Sequence, residues 1–357
     1  MNLKELGYTT RLQEYRRANQ LEDFQLGRVI AEHKERYVVQ TSEKTFNAEI
    51  TGNLRFSAQG REDFPAVGDW VALLTYDADA AIIHKILPRF SMLTRQAVGK
   101  YGEIQIIAAN IDVAFIVQAV DRDFNLNRME RYLSLCNHSD IQPVILLSKT
   151  DLADKMQLEE TIIKIQKRVK NTPVLPLSSE TKDGYEQLEQ FFEPFKTYCF
   201  LGSSGVGKST VVNHLAGSEV LKTSAISSST QKGRHTTSHR ELIVLPNKSI
   251  VIDTPGMREI GLTDNADGIE LTYDEISELA KQCRFNDCSH TSEKGCAVLR
   301  AVEDEMISEA MLENYKKLLR EQLHFSSSVK EKRQKSKERG KMIKAILNEK
   351  KRDKFYD

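Results

Sequence analysis

Gly202-Ser203-Ser204-Gly205-Val206-Gly207-Lys208-Ser209 matches G-x-x-x-x-G-K-[ST] at every position, and it stands past the middle of a 357-residue chain. An apolar run, Tyr198 to Leu201, precedes it, and a segment of helical pattern follows. That context demands a strand, a tight loop and a helix, and therefore an α/β layer. The glycines let the backbone bend so that successive N–H groups face phosphates, and the helix N-terminus adds favourable partial charge. Lys208 is placed to reach the β and γ phosphates and Ser209 to ligate Mg²⁺, with Thr210 next on the same helix.

Downstream, Asp253-Thr254-Pro255-Gly256 follows the apolar run Ile250 to Ile252. A carboxylate at the end of a buried strand beside a phosphate loop can hold Mg²⁺ through water, and the Gly256 amide can sense a γ-phosphate. The polar, basic stretch 231–240 between these motifs has the character of a switch loop. One threonine there completes the Mg²⁺ shell; Thr237 is the first choice and Thr236 the second. Met257 stands where many GTPases carry a glutamine that orients water, so slow intrinsic hydrolysis is expected. His235 and His239 are alternative water-positioning groups.

The base reader comes earlier in the chain. Ser148-Lys149-Thr150-Asp151 follows Val144 to Leu147, in the place of [NT]-K-x-D at a strand end. Asp151 can accept from both N1–H and the 2-amino group of guanine; adenine lacks both donors and would leave the carboxylate unpaired. The Lys149 stem would lie along the base plane. Ser148 replaces the usual asparagine, and its shorter side chain predicts a poorer tether to the phosphate loop and weaker nucleotide binding. Ser178 and Ser179 follow the run Val174 to Leu177, where GTPases place a backbone contact to the guanine oxygen. The order is thus base reader, base support, phosphate loop, switch, Asp-Thr-Pro-Gly. Cutting the usual order once and rejoining its ends produces it, so a circularly permuted P-loop GTPase is predicted over 101–265. Switch two then runs straight into the C-terminal segment.

The flanks differ in texture. Leu26–Ile30, Arg36–Thr41, Phe46–Ile50, Trp70–Thr75 and Ala80–Leu87 read as short strands, which suits a small all-β barrel of the OB type over 1–100. SH3-like barrels read the same way. The polar start of the chain, Met1 to Gln20, carries no signal-peptide pattern. In the centre, strands at Asp112–Val120, Val144–Leu147, Val174–Leu177 and Tyr198–Leu201 alternate with helices at Leu126–His138, 156–170 and 184–195. Strands at Glu241–Leu245 and Ser249–Asp253 form a further pair.

Past 266 the strand signal ends. Cys283, Cys288, His290 and Cys296 lie within fourteen residues, a tetrahedral set for one structural Zn²⁺ with no open position. Cys136 and Cys199 read as core residues. Ile307, Met311, Tyr315, Leu318, Leu319 and Leu323 mark one helix face. From Lys330 to Asp357 there are twelve Lys or Arg against five Asp or Glu, although the whole chain is neutral. A basic tail on an acidic body fits a polyanionic partner. In the barrel, Arg28, Lys34, Arg36, Lys44 and Arg55 are candidate RNA contacts.

GSSGVGKS at 202–209, GRHTTSHREL at 233–242, DTPGMRE at 253–259 and C-x₄-C-x-H-x₅-C at 283–296 together resemble the ribosome small-subunit-dependent GTPase A family (RsgA/YjeQ) over nearly the whole length. The resemblance implies an N-terminal OB barrel, a permuted GTPase centre with GTP/GDP and Mg²⁺, and a C-terminal zinc domain over 266–357. It further implies action in late maturation of the small (30S) ribosomal subunit, contact with its rRNA, and GTP hydrolysis stimulated by that subunit. A cytoplasmic monomer with no membrane attachment is expected. Three other readings remain: a P-loop ATPase or small-molecule kinase, an RNA-binding module with a vestigial GTPase, and a permuted GTPase serving the large subunit. Asp151, the intact Lys208–Ser209–Asp253 set, and the barrel with its zinc cluster argue against them in turn.

Overall fold

Among the strands near the N-terminus, Arg36–Thr41 and Thr45–Ile50 alternate buried and more exposed side chains, as one-sided strands must, while Gln25–His33 and Trp70–Thr75 carry runs of four buried residues. A computed structural model of the chain describes residues 2–33, 36–97, 103–121, 124–221, 240–253 and 265–327. In it β1 (Gln25–His33), β2 (Arg36–Thr41), β3 (Thr45–Ile50), β4 (Trp70–Thr75) and β5 (Ala80–Ile86) lie in the order β1-β2-β3-β5-β4, and a β1–β4 pairing closes the ring. The β3–β5 pairing is parallel and the rest are antiparallel, an arrangement of the OB type. All five strands fall where the sequence places them, to within a few residues.

The polar start of the chain is structured as well. A 3₁₀ turn at Leu3–Leu6 and helix α1 (Thr10–Ala18) are each opened by a side-chain cap, Asn2 and Thr9. Leu6 and Leu12 bury against Trp70 and Leu87 at one end of the barrel. A second short helix, α2 (Gly52–Ser57), links β3 to β4.

A hairpin of β6 (Met92–Gln96) and β7 (Ile104–Ala109) leads into the central sheet. That sheet contains β8 (Val113–Ala119), β9 (Gln142–Ser148), β10 (Val174–Pro176), β11 (Thr197–Leu201), β12 (Glu241–Val244) and β13 (Ile250–Asp253), in the order β10-β9-β8-β11-β13-β12. All pairings are parallel except β12–β13. Every residue of β8 is buried, as a strand covered on both faces requires. Helices α3 (Leu126–His138), α4 (Lys155–Arg168), α5 (Tyr185–Glu189) and α6 (Lys208–Ala216) connect the strands. Helix α5 is shorter than the predicted 184–195: just past Glu189 the amides of Phe191 and Phe192 bond three residues back, to Leu188 and Glu189.

Barrel and centre share one sheet through β1 and β12, at Ala31 opposite Glu241. Beside that seam lies Arg28, only 1 % exposed. Its guanidinium donates to the carbonyls of Gly68 (3.0 Å), Leu6 (2.7 Å) and Asn110 (3.1 Å) and to Thr197 Oγ1 (2.9 Å). Arg28 is therefore excluded as an RNA contact: its charge is spent tying the N-terminus, the barrel and the centre together. Burial lowers its pKa to about 10. Of the other candidates, Arg36 pairs with Glu49 on the surface, Lys44 with Asp79, and Lys34 lies outside the described residues.

The C-terminal segment is helical: α7 (Ala266–Thr272), α8 (Asp274–Ala280), α9 (Ala297–Glu303) and a last helix, α10, over 309–327. Ile269, Tyr273, Ile276, Val298, Met311 and Leu318 join the same core as α3 and the central strands. The predicted face of α10 holds except at Leu323, which is 63 % exposed. Helical spacing from Leu318 brings Gln322 and Phe325 inward instead. No helix among the described residues is long and apolar enough to cross a membrane.

Candidate nucleotide site and metal centre

Parallel strands bring their C-terminal ends to one edge of the sheet, and the candidate site is built along that edge. Strand β11 delivers the phosphate loop. Gly202 leaves it at φ +150°, and a Cβ there would lie 2.5 Å from the Val117 carbonyl oxygen on β8, so only glycine fits. Ser204 and Gly205 are exposed at the loop tip, while Ser203 and Val206 are buried beneath it. Gly207 caps α6, which starts at Lys208, so the first-turn amides of Lys208, Ser209 and Thr210 have no intrahelical acceptors. Lys208 Nζ lies across the loop and donates to the carbonyls of Gly202 (2.8 Å) and Ser203 (2.6 Å).

Asp253 ends β13, the neighbour of β11. Burial pushes its pKa up, and the charge of Lys208 opposes that rise. Lys208 and Asp253 thus stand at the ends of neighbouring elements, the start of α6 and the end of β13. Thr237 and Gly256 lie outside the described residues, as do Thr236, His235, His239, Met257 and the basic tail.

The candidate base-reading residues gather at the ends of β9 and β10. Ser148 Oγ donates to the Val206 carbonyl at 2.7 Å. The hydroxyl thus reaches the phosphate loop despite its shorter side chain. Ser148 is buried at the end of β9. Lys149 takes a left-handed conformation, φ +58°, and its Nζ pairs with Asp121 Oδ2 at 2.9 Å. Thr150 N–H donates to Leu177 O, which ties the reader to β10. Asp151 Oδ1 accepts from Ser178 Oγ at 2.6 Å, while Ser179 Oγ lies 3.0 Å from Tyr185 Oη.

Cys283, Cys288, His290 and Cys296 offer ligand atoms that all lie within 4.8 Å of one another. Cys283 Sγ is 3.8 Å from Cys296 Sγ, and His290 Nδ1 is 3.7 Å from Cys283 Sγ and 3.3 Å from Cys296 Sγ. Tetrahedral Zn²⁺ with Zn–S bonds of about 2.3 Å needs S···S edges of about 3.8 Å, so the donor set fits. Their spacing comes from a built loop. Glu293 accepts from the amides of Ser289, Thr291 and Ser292, and Cys296 Sγ accepts from Leu299 N–H at the start of α9. The ligands thus attach the loop directly to a core helix.

Three sets of contacts have no sequence signature. Arg128, on the first turn of α3, donates to Ser203 Oγ in the phosphate loop. Two residues on, Glu130 is 1 % exposed and accepts from Arg168 at 2.7 Å, Tyr273 Oη at 3.0 Å and Asn314 Nδ2 at 2.6 Å. Arg131 makes a paired contact with Glu321 at 2.6 and 2.7 Å. Helix α3 therefore touches the phosphate loop at one end and α10 along its side. A charged residue inside an apolar helix face, as at Glu130, is the only local hint available.

Comparison with known proteins agrees with this construction. A family model described as RsgA GTPase matches residues 86–263, and one described as 50S ribosome-binding GTPase matches 197–346. The chain is 40% identical over 353 residues, 98% of both chains, to the small ribosomal subunit biogenesis GTPase RsgA 1 of Bacteroides thetaiotaomicron. It is 42% identical over 330 residues to the RsgA protein of Methanosarcina acetivorans, spanning 92% of this chain and 88% of that one. Among solved structures, YjeQ from Thermotoga maritima superposes with a TM-score of 0.62 at 24% identity, covering 84% of this chain and 98% of that one. YloQ, a circularly permuted GTPase, superposes with a TM-score of 0.59 at 25% identity over 87% and 96%. With strand order, motif order and relatives in agreement, the chain belongs to the RsgA family of circularly permuted GTPases.

Proposed function

We propose that this GTPase acts in late maturation of the small ribosomal subunit, and that contact with the subunit stimulates its hydrolysis of GTP. Near-complete coverage of relatives named for small-subunit biogenesis carries this reading. Division of labour follows the three segments: the barrel (1–100) and the zinc domain with its basic tail (266–357) contact rRNA, and the centre (101–265) handles nucleotide. The protein works as a monomer in the cytoplasm.

In the site, Asp151 reads the guanine edge and the Lys149 stem supports the base plane. Ser178 and Ser179 support the base, and Ser148 holds the loop. Amides from Gly202 to Thr210 cradle the phosphates, and Lys208 neutralises charge that develops on the β–γ bridge. Ser209, Thr237 and, through water, Asp253 would hold Mg²⁺, whose bound charge stabilises the departing diphosphate. Gly256 senses the γ-phosphate. Zinc keeps the Cys283–Cys296 loop folded and takes no part in chemistry. Met257 supplies no group to orient water, so turnover waits for the partner.

Steady-state GTP hydrolysis, measured alone, with small subunits and with large subunits, tests the proposal. Stimulation by small subunits alone is the expected result. Stimulation by large subunits would favour the second reading, to which the match with the 50S ribosome-binding GTPase model points. No response to either would remove the ribosomal assignment.

A further inference from the structure

Four adjacent strands end at the nucleotide edge. β11 carries the phosphate loop, β9 the base reader and β10 its support, but β8, between β11 and β9, has no assigned role. We propose that Asp121, just past the end of β8, is a positioning residue for the guanine base, holding the Lys149 ammonium so that its stem lies along the base plane. This rests on reading Ser148–Asp151 as the guanine site.

Sheet register puts the two residues side by side. Ala119 pairs with Ser148, and Val120 N–H donates to Ser148 O at 3.1 Å, which continues the pairing one step beyond the strand. Asp121 and Lys149 come next, and their side chains meet at 2.9 Å with 23% exposure for the lysine and 27% for the aspartate. Both flanks of Lys149 are already held: Ser148 to the phosphate loop, Asp151 to Ser178. Without Asp121 the four-carbon lysine stem would sample many rotamers, and nucleotide binding would have to order it. The loss should appear as faster nucleotide release. Contact with the face of a base is blind to its 2-amino group, which Asp151 reads. Asp121 therefore acts equally on guanine and hypoxanthine nucleotides.

The test uses the full chain with Asp121→Asn, Asp121→Ala and Asp121→Glu. GDP and IDP are titrated against a fluorescent GDP, ADP serves as the control, and the nucleotide-free melting temperature is recorded. Asn and Ala are expected to weaken GDP and IDP by the same factor, about two- to fivefold for a partly exposed ion pair, leaving their ratio unchanged. Glu should restore most of the affinity, nucleotide-free melting should not move, and 1 M salt should shrink the wild-type advantage. Unchanged affinities in Asn and Ala would overturn the proposal. So would a loss that tracks a lower melting temperature and is not rescued by Glu, which marks a purely structural pair. Wild-type protein that prefers ADP to GDP would remove the guanine-site reading and this proposal with it. Normal wild-type preference with unaffected variants removes Asp121 alone.

Discussion

Ser148 Oγ and Lys208 Nζ both donate to carbonyls of the 202–209 loop. Ser148→Ala removes the donor to a buried carbonyl, that of Val206, and an unmade buried hydrogen bond costs about 1–3 kcal/mol. GDP affinity should fall by about tenfold in a fluorescence titration. Ser148→Asn is the informative companion: in this tight space it should not improve on serine. Lys208→Ala removes the ammonium that bonds the carbonyls of Gly202 and Ser203, and should lower subunit-stimulated turnover by on the order of 100-fold or more.

At the scale of elements, α3 is the beam on which the C-terminal segment rests. Glu130→Ala would leave the Arg168 guanidinium, 11% exposed, without its carboxylate. Breaking one side of a buried pair costs about 3–5 kcal/mol, measurable by urea unfolding. α7 crosses α3 so closely that a Cβ on Gly268 would lie 2.1 Å from the Ser134 carbonyl oxygen. Gly268→Ala must push the helices apart, at about 1–3 kcal/mol. Faster amide exchange over 266–280, with β1–β5 unaffected, is the expected signature.

Across the whole molecule, two joints make the long-range packing testable. The Arg28 joint lies between barrel and centre, so Arg28→Ala should lower the melting temperature and leave RNA affinity unchanged by any direct contact. The zinc joint lies between the Cys283–Cys296 loop and the core, because Cys296 caps α9 and packs in the α3 cluster. Chelation of Zn²⁺ should therefore expose 281–303 to protease while nucleotide binding in the centre persists. Loss of GDP binding on chelation would show that the two units fold as one.

The candidate nucleotide residues were legible in sequence because phosphate and base recognition need contiguous backbone: a loop closing on a helix, a carboxylate at a fixed step past a strand. Zinc ligands were legible for the same reason, as four donors within fourteen residues. Strand positions in the barrel followed from apolar or alternating runs between polar or Gly-containing turns. Its closure did not, since the β1–β4 and parallel β3–β5 pairings join segments that share no local pattern. Arg28 looked like surface charge because nothing nearby in sequence reveals that Leu6, Gly68, Asn110 and Thr197 converge on it. Glu130, Arg168, Tyr273 and Asn314 are likewise scattered along the chain, and only packing assembles them. Local chemistry is written in neighbouring residues; satisfying a buried charge depends on whichever distant groups the fold delivers to it.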